Sequence, residues 1–230
     1  MDRVAAHLFV ADLDRPEVDD GDRHHLERVL RLRPGEALSV SDGRGGLRLC
    51  VLGPALVLEP TAEAVRTPPP APPLAVGFAL SKGERPEWTV QKLTECGIDR
   101  IVPFVGARSV VRWEADRAAK NLLRLRRIAR EAAMQCRRLW APAVEPVGKF
   151  GAHATARGAD WAMADPEGGP PHLERPSILV GPEGGWSDEE REAGLPAVRL
   201  GSHVLRTETA AVAAGVLLAA LRSGLVSSPG

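Results

Sequence analysis

The sequence predicts an α/β protein with a mostly parallel sheet and helices on both faces, preceded by a small β-barrel. Three observations carry that reading. After residue 74, apolar runs of strand length alternate with helical stretches. A proline block, "TPPPAPPL" (67–74), separates them from a region of short strands and turns. A glycine-rich turn, "GPEGG" (181–185), follows one apolar run and leads into a helix start.

In residues 1–67 the stretches "HLFV", "ALSVSDG", "LRLCVL" and "ALVLEP" alternate with turn signals, and one helix is predicted around "GDRHHLERVLRL". That is the pattern of a small barrel. Residues 68–73 form a stiff linker. From 74 to 230 the α/β pattern takes over. "LAVGFAL" (74–80) reads as a buried strand, "PEWTVQKLTECG" (86–97) as a helix stopped by Gly97, and "RIVPFV" (100–105) as a strand. A long helix is predicted over about 114–140, and a last one over about 208–222. Between them "DWAMAD" (160–165), "SILVG" (177–181) and "AVRLG" (197–201) read as further strands.

No apolar run approaches the roughly 20 residues that span a bilayer, and the first twenty residues lack the apolar core of a signal peptide. Cys50, Cys96 and Cys136 are far apart with no CxxC pair, which argues against a zinc site or a disulfide framework. His24, His25, His153, His172 and His203 are scattered, as packing or surface residues are. The expectation is a soluble cytoplasmic protein without membrane or metal. Thirty basic and thirty acidic residues cancel overall, but local net charges are −3 over 1–73, +7 over 74–150 and −4 over 151–230. On the long helix Arg117, Lys120, Arg124, Arg127 and Arg138 fall in one stripe about 80° wide, given 100° per residue. Arg126, Arg130 and Arg137 form a second stripe. Leu122, Leu125, Ile128, Ala129, Ala132, Ala133 and Leu139 gather opposite. Glu131 is the only acid within the first stripe, so the face suits a polyanion; a merely solvated face is the alternative.

Ser187 and Glu190 fit a capping box, so a helix is predicted from Asp188. The glycines at 181, 184 and 185 then lie at the carboxyl end of a strand, where open α/β sheets bind ligands. The spacing is neither G-x-G-x-x-G nor a G-K-[ST] phosphate loop, and Glu183 would repel a phosphate. A neutral nucleoside or a cationic ligand suits it better; a plain tight turn is the alternative. Further on, "LGSHVLRTETAAVAAGVLLAALRSG" (200–224) predicts a loop and then a helix starting near Thr207 or Glu208. Ala210, Ala211, Ala213, Ala214 and Gly215 make that helix apolar and close-packing, so it belongs in a core or a subunit interface. Arg206 and Glu208 flank its start.

"GPEGG" followed by "LGSHVLRTETA" (200–210) resembles the RsmE family, 16S ribosomal RNA uridine-N3 methyltransferases of the knotted SPOUT superfamily. "HHLERVLRLRPGE" (24–36) with "SDG" (41–43) resembles its PUA-like barrel. "SKGERPEWTVQKLTECGIDRIVPFVGARSVV" (81–111) and "IAREAAMQCRR" (128–138) resemble the entry to its catalytic domain. Two positions depart: Cys96 stands where an aliphatic residue is common, and His7 near where an arginine is usual.

The resemblance implies S-adenosylmethionine as cofactor, a sulfonium nucleoside without phosphate. Its implied contacts are Leu179, Val180, Gly181, Pro182, Glu183, Gly184, Gly185, Leu200, Gly201, Val204, Leu205, Arg206, Thr207, Thr209 and Ala210. It also implies a trefoil knot around 179–210, a homodimer whose site borrows groups from the second subunit, and 16S ribosomal RNA of the small ribosomal subunit as substrate. On that reading Arg206 stabilises charge developing on the uracil carbonyls, and Glu208 accepts the N3 proton, with Glu183 as rival. Arg31, Lys82, Arg85, Arg108 and the first helical stripe would hold the RNA. Two rival readings are a SPOUT enzyme acting on another RNA or a ribose 2′-hydroxyl, and a non-catalytic RNA-binding protein.

Overall fold

The computed structural model describes residues 4–24, 26, 32–151 and 161–227. Its contacts divide the chain into Met1–Pro69 with Arg130–Ala141, and Pro70–Ala129 with Pro142–Gly230. Arg31, His25, His153 and part of the helix predicted around 21–32 fall outside the described residues.

The first unit is a mixed five-stranded sheet. Strands β1 (Ala6–Phe9), β2 (Ala37–Ser41) and β3 (Gly46–Leu52) lie side by side, while β4 (Leu58–Pro60) and β5 (Val65–Arg66) share the far edge of β3. Only β1 and β2 run parallel. A short helix α1 (Asp20–His24) precedes β2. Leu8, Leu38, Val40, Cys50 and Leu52 fill the core with Leu26.

The second unit holds a wholly parallel sheet in the order β12–β10–β11–β6–β7–β8, with β9 also on β7. In chain order its elements are β6 (Ala75–Ala79), α2 (Arg85–Glu95), β7 (Arg100–Val105), α3 (Ala115–Gln135), β8 (Ala143–Val144), β9 (Gly148–Lys149), β10 (Trp161–Gly169), β11 (Ser177–Val180), α4 (Asp188–Arg191), β12 (Ala197–Val198) and α5 (Thr207–Arg222). The central strands are buried on both faces, so they read as continuous apolar runs. Val76, Phe78, Ile178 and Val180 pack on one side with Leu93, Leu125, Ala214 and Leu218, which brings α2, α3 and α5 onto that face. Ala75, Ala79, Phe104 and Leu179 pack on the other with Phe150, Trp161 and Trp186. Among the described residues that second face carries these large aromatics. Where α5 crosses α2, a Cβ on Gly215 would lie 2.9 Å from Leu93 Cδ2, so the small residue permits the contact.

Helix α3 ends at Gln135, five residues before the predicted 140. Arg138 N–H bonds Ala133 O and Arg137 N–H bonds Met134 O, with Arg137 at φ 59°. This is a Schellman closure carried by an arginine instead of the usual glycine, which is why the sequence concealed it. The segment Arg130–Ala141 then joins the first unit, whereas the sequence division put it in 74–230. Arg130 binds both oxygens of Asp22 at 2.9 and 2.7 Å, Asp19 at 2.8 Å and Phe9 O at 3.1 Å. Arg137 donates to Val4 O at 2.9 Å.

His7 belongs to the same unit. It is buried, with Nδ1 2.8 Å from Ser39 Oγ and Nε2 3.2 Å from Arg138 O. Burial holds its pKa below the ordinary histidine value; the Arg138 carbonyl partly offsets this, and the Arg137 charge adds to it. The unfolded ring therefore takes up its proton first as pH falls. Stability contributed here is present above the ordinary value, about 6.5, and is lost on acidification through it. Thermal unfolding midpoints measured from pH 8 to 5 are expected to fall, and His7→Gln to flatten that slope. An equal slope in the variant would assign the loss to other groups.

Candidate active site

Strand β11 delivers the glycine loop. Gly185 N–H closes a turn on Pro182 O at 2.8 Å, and Gly185 sits at φ 73°, a conformation suited to glycine. The predicted capping box is present: Ser187 Oγ accepts from Glu190 N–H, and Glu190 Oε2 accepts from Ser187 N–H at 2.9 Å. The other Glu190 oxygen accepts from Ala107 N–H at 2.8 Å. One buried carboxylate thus joins the loop after β11 to the loop after β7. Arg108 donates to Gly184 O at 3.2 Å. Thr207 Oγ1 donates to Gly181 O at 2.9 Å and binds the first turn of α5 to the loop.

These contacts shape a cleft at the carboxyl edge of the sheet. Its walls are Val180, Gly181, Pro182, Glu183 and Gly185; Leu200, Gly201, Val204 and Leu205; and Thr207 and Ala210. Four of the expected cofactor contacts lie elsewhere. Leu179 is wholly buried because the period-two alternation points it into the opposite core. Gly184 faces Arg108, Thr209 is exposed, and Arg206 caps α5 with an exposed side chain.

Sequence reasoning missed Ala164, Asp165, Pro166, Trp186, Arg191 and His203, which also line the cleft. Asp165 is buried midway along β10; it binds Arg191 Nη1 at 2.7 Å and accepts from Glu167 N–H at 3.0 Å. Burial alone would raise its pKa, but these hydrogen bonds and the Arg191 charge hold it below the usual carboxylate range. No motif surrounds it. The available signal was its place at the carboxyl end of an apolar run.

The expected cationic surface is reduced. Arg85 meets Glu183 and Glu208, each at 3.4 Å. Arg124 pairs with Glu87 at 3.4 Å across to α2, a neighbour invisible in a single-helix projection. Arg126 donates to Val144 O at 3.1 Å, and Arg138, beyond the end of α3, donates to Trp140 O at 3.0 Å. Lys82, Arg117, Lys120 and Arg127 are exposed, as are Arg108 and Arg124. Among the described residues no cluster of three metal-ligating side chains occurs, and no helix is long and apolar enough to cross a membrane.

A parallel α/β sheet with a glycine-loop cleft at its carboxyl edge is the frame of many nucleotide-handling enzymes, so the class must come from more than the frame. Residues 68–219 match the model of the RNA methyltransferase domain, and residues 18–55 that of the RNA methyltransferase PUA domain. The chain is therefore an RNA methyltransferase by class. It is 36% identical to ribosomal RNA small subunit methyltransferase E of Mycobacterium bovis, over 92% of this chain and 90% of that one. It is 30% identical to the Bacillus subtilis protein of the same name, over 81% and 82% of the two chains. A crystal structure of ribosomal RNA small subunit methyltransferase E from Neisseria gonorrhoeae, bound to S-adenosyl methionine, superposes with a TM-score of 0.79 at 28% identity, covering 95% of this chain and 97% of that one. The chain belongs to the ribosomal RNA small subunit methyltransferase E family.

Proposed function

We propose that this protein transfers a methyl group from S-adenosylmethionine to N3 of a uridine in 16S ribosomal RNA. The observation that carries the cofactor assignment is the charge of the cleft. Among the described residues Arg191 is the only lysine or arginine in its lining, and Asp165 already neutralises it. Val180, Leu200, Leu205 and Ala210 offer apolar walls. A phosphorylated ligand finds no cationic partner there, whereas an uncharged adenosine with a cationic sulfur fits. Asp165 supplies a charged acceptor for a hydroxyl or ammonium group of that ligand.

The cofactor supplies a methyl group on cationic sulfur, which departs as a neutral thioether. The chain's residues must align the acceptor and remove its proton. N3 lies on the Watson–Crick edge, so the base must be unpaired or extruded. Glu208 takes the N3 proton, the freed N3 electron pair forms the bond to carbon, and Arg206 stabilises charge on the uracil carbonyls. Lys82, Arg117, Lys120 and Arg127 meet the phosphate backbone.

A second copy of the chain completes the site. Val216 and Leu225 are 51% and 81% exposed at the end of the chain where α5 lies, an apolar surface that calls for a cover. The knot around 179–210 belongs to the same proposal.

The test is methyl transfer from labelled S-adenosylmethionine to small subunits from a strain lacking the protein, followed by mass mapping of the product. One uridine gaining a base methyl is the expected result. Methylation of a ribose or of another RNA would move the activity elsewhere, and an absence of heat on titrating the cofactor would leave only an RNA-binding role.

A further inference from the structure

Arg85, the first residue of α2, is where three distant segments meet. Its Nη1 lies 3.4 Å from Glu183 Oε1 in the glycine loop, and its Nε lies 3.4 Å from Glu208 Oε1 in the first turn of α5. Those two carboxylates are the candidates for proton removal, and side by side they would repel. The planar guanidinium separates them and meets one oxygen of each. The Glu208 side chain is only 14% exposed, so its pairing is less screened than a surface ion pair. Its other oxygen, Oε2, is buried and has no hydrogen-bond partner among the described residues. A buried carboxylate oxygen without a donor is costly, and such sites are often functional.

We infer that Arg85 is a positioning residue for methyl transfer: by engaging Glu208 Oε1 it orients the carboxylate that takes the N3 proton of the substrate. The inference rests on the methyltransferase reading above, with Glu208 as proton acceptor. It replaces the expectation that Arg85 grips the RNA backbone, because two carboxylates already balance its charge. The 3.4 Å separations are long for hydrogen bonds, as catalytic contacts often are before substrate tightens them.

The test compares the parent chain with Arg85→Ala, Arg85→Lys, Glu208→Gln and the Arg85→Ala/Glu208→Gln double variant. Cofactor affinity is measured by calorimetry, and kcat and KM with small-subunit RNA. Arg85→Ala is expected to lower kcat by about tenfold to a hundredfold through misplacement of the acceptor, with cofactor affinity and RNA KM unchanged. Arg85→Lys should recover part of the loss. In the Glu208→Gln background, removing Arg85 should cost nothing further, because both act at one step. Losses that multiply in the double variant would overturn the inference. So would a raised RNA KM at unchanged kcat, which would return Arg85 to the RNA surface. A parent chain that transfers no methyl at all would instead refute the underlying reading, and is distinguishable on that ground.

Discussion

An Arg206→Ala variant is expected to bind S-adenosylmethionine as the parent chain does and to transfer methyl about a hundredfold to a thousandfold more slowly, the usual cost of deleting one oxyanion-type donor. Arg206 holds the N-cap position of α5 in an extended conformation, at φ −67° and ψ 155°, without a side-chain cap bond. Its neighbours Leu205 and Thr207 both line the cleft, yet its own side chain is exposed and does not. Truncation therefore removes charge at the mouth of the site without disturbing the core or the cofactor wall. Single-turnover transfer of a labelled methyl group, with calorimetry on the same sample, separates the two effects. Transfer at the parent rate would exclude Arg206 as the group that stabilises the uracil carbonyls.

Gly181→Val is expected to act oppositely, on binding before chemistry. A Cβ at Gly181 would lie 2.9 Å from Trp186 Cε2 and 3.1 Å from both Cδ2 and Cζ2. That indole cannot swing aside. It stacks on Phe104 with ring centroids 6.1 Å apart and planes 6° apart, packs on Phe150 at 5.3 Å, and donates from Nε1 to Ala164 O at 2.9 Å. Overpacking of this kind costs about 1–3 kcal/mol. Relief of that strain by a shift of the glycine loop displaces the cleft wall, and cofactor affinity is expected to fall by about tenfold to a hundredfold. Gly169 is the control: it does not line the cleft and a Cβ there meets nothing within 4 Å, so Gly169→Ala should bind normally. Equal affinities for the parent and Gly181→Val would show that the strain leaves the cleft wall in place.

Legibility varied with the range of the interaction. "RIVPFV" forms a strand with its predicted bounds, Arg100–Val105, because an apolar β-rich run declares itself without neighbours. The capping box at Ser187 and Glu190 was equally readable, since both hydrogen bonds span three residues. The same Glu190 also binds Ala107, 83 residues away, and nothing local announces that second role. The cationic stripe put Arg138 on a helix that ends before it, and it omitted the acids that lie against α3: Glu87 of α2 and Glu84 just before α2 reach Arg124. The end of α3 was misjudged because the left-handed position fell to Arg137, where a glycine would have marked the stop.

The alternating α/β pattern, the glycine loop at a strand end and the small-residue final helix could be read directly from the residues, since each rests on periodicity or on bonds within a few residues. Which charges are paired, and with what, came only from the packing. Asp165 meets Arg191, Arg85 meets two glutamates, and Leu179 turns away from the cleft its neighbours line. The physical reason is that an ion pair or a buried face depends on separation in space, and these partners are brought together by the packing of strands and helices far apart along the chain.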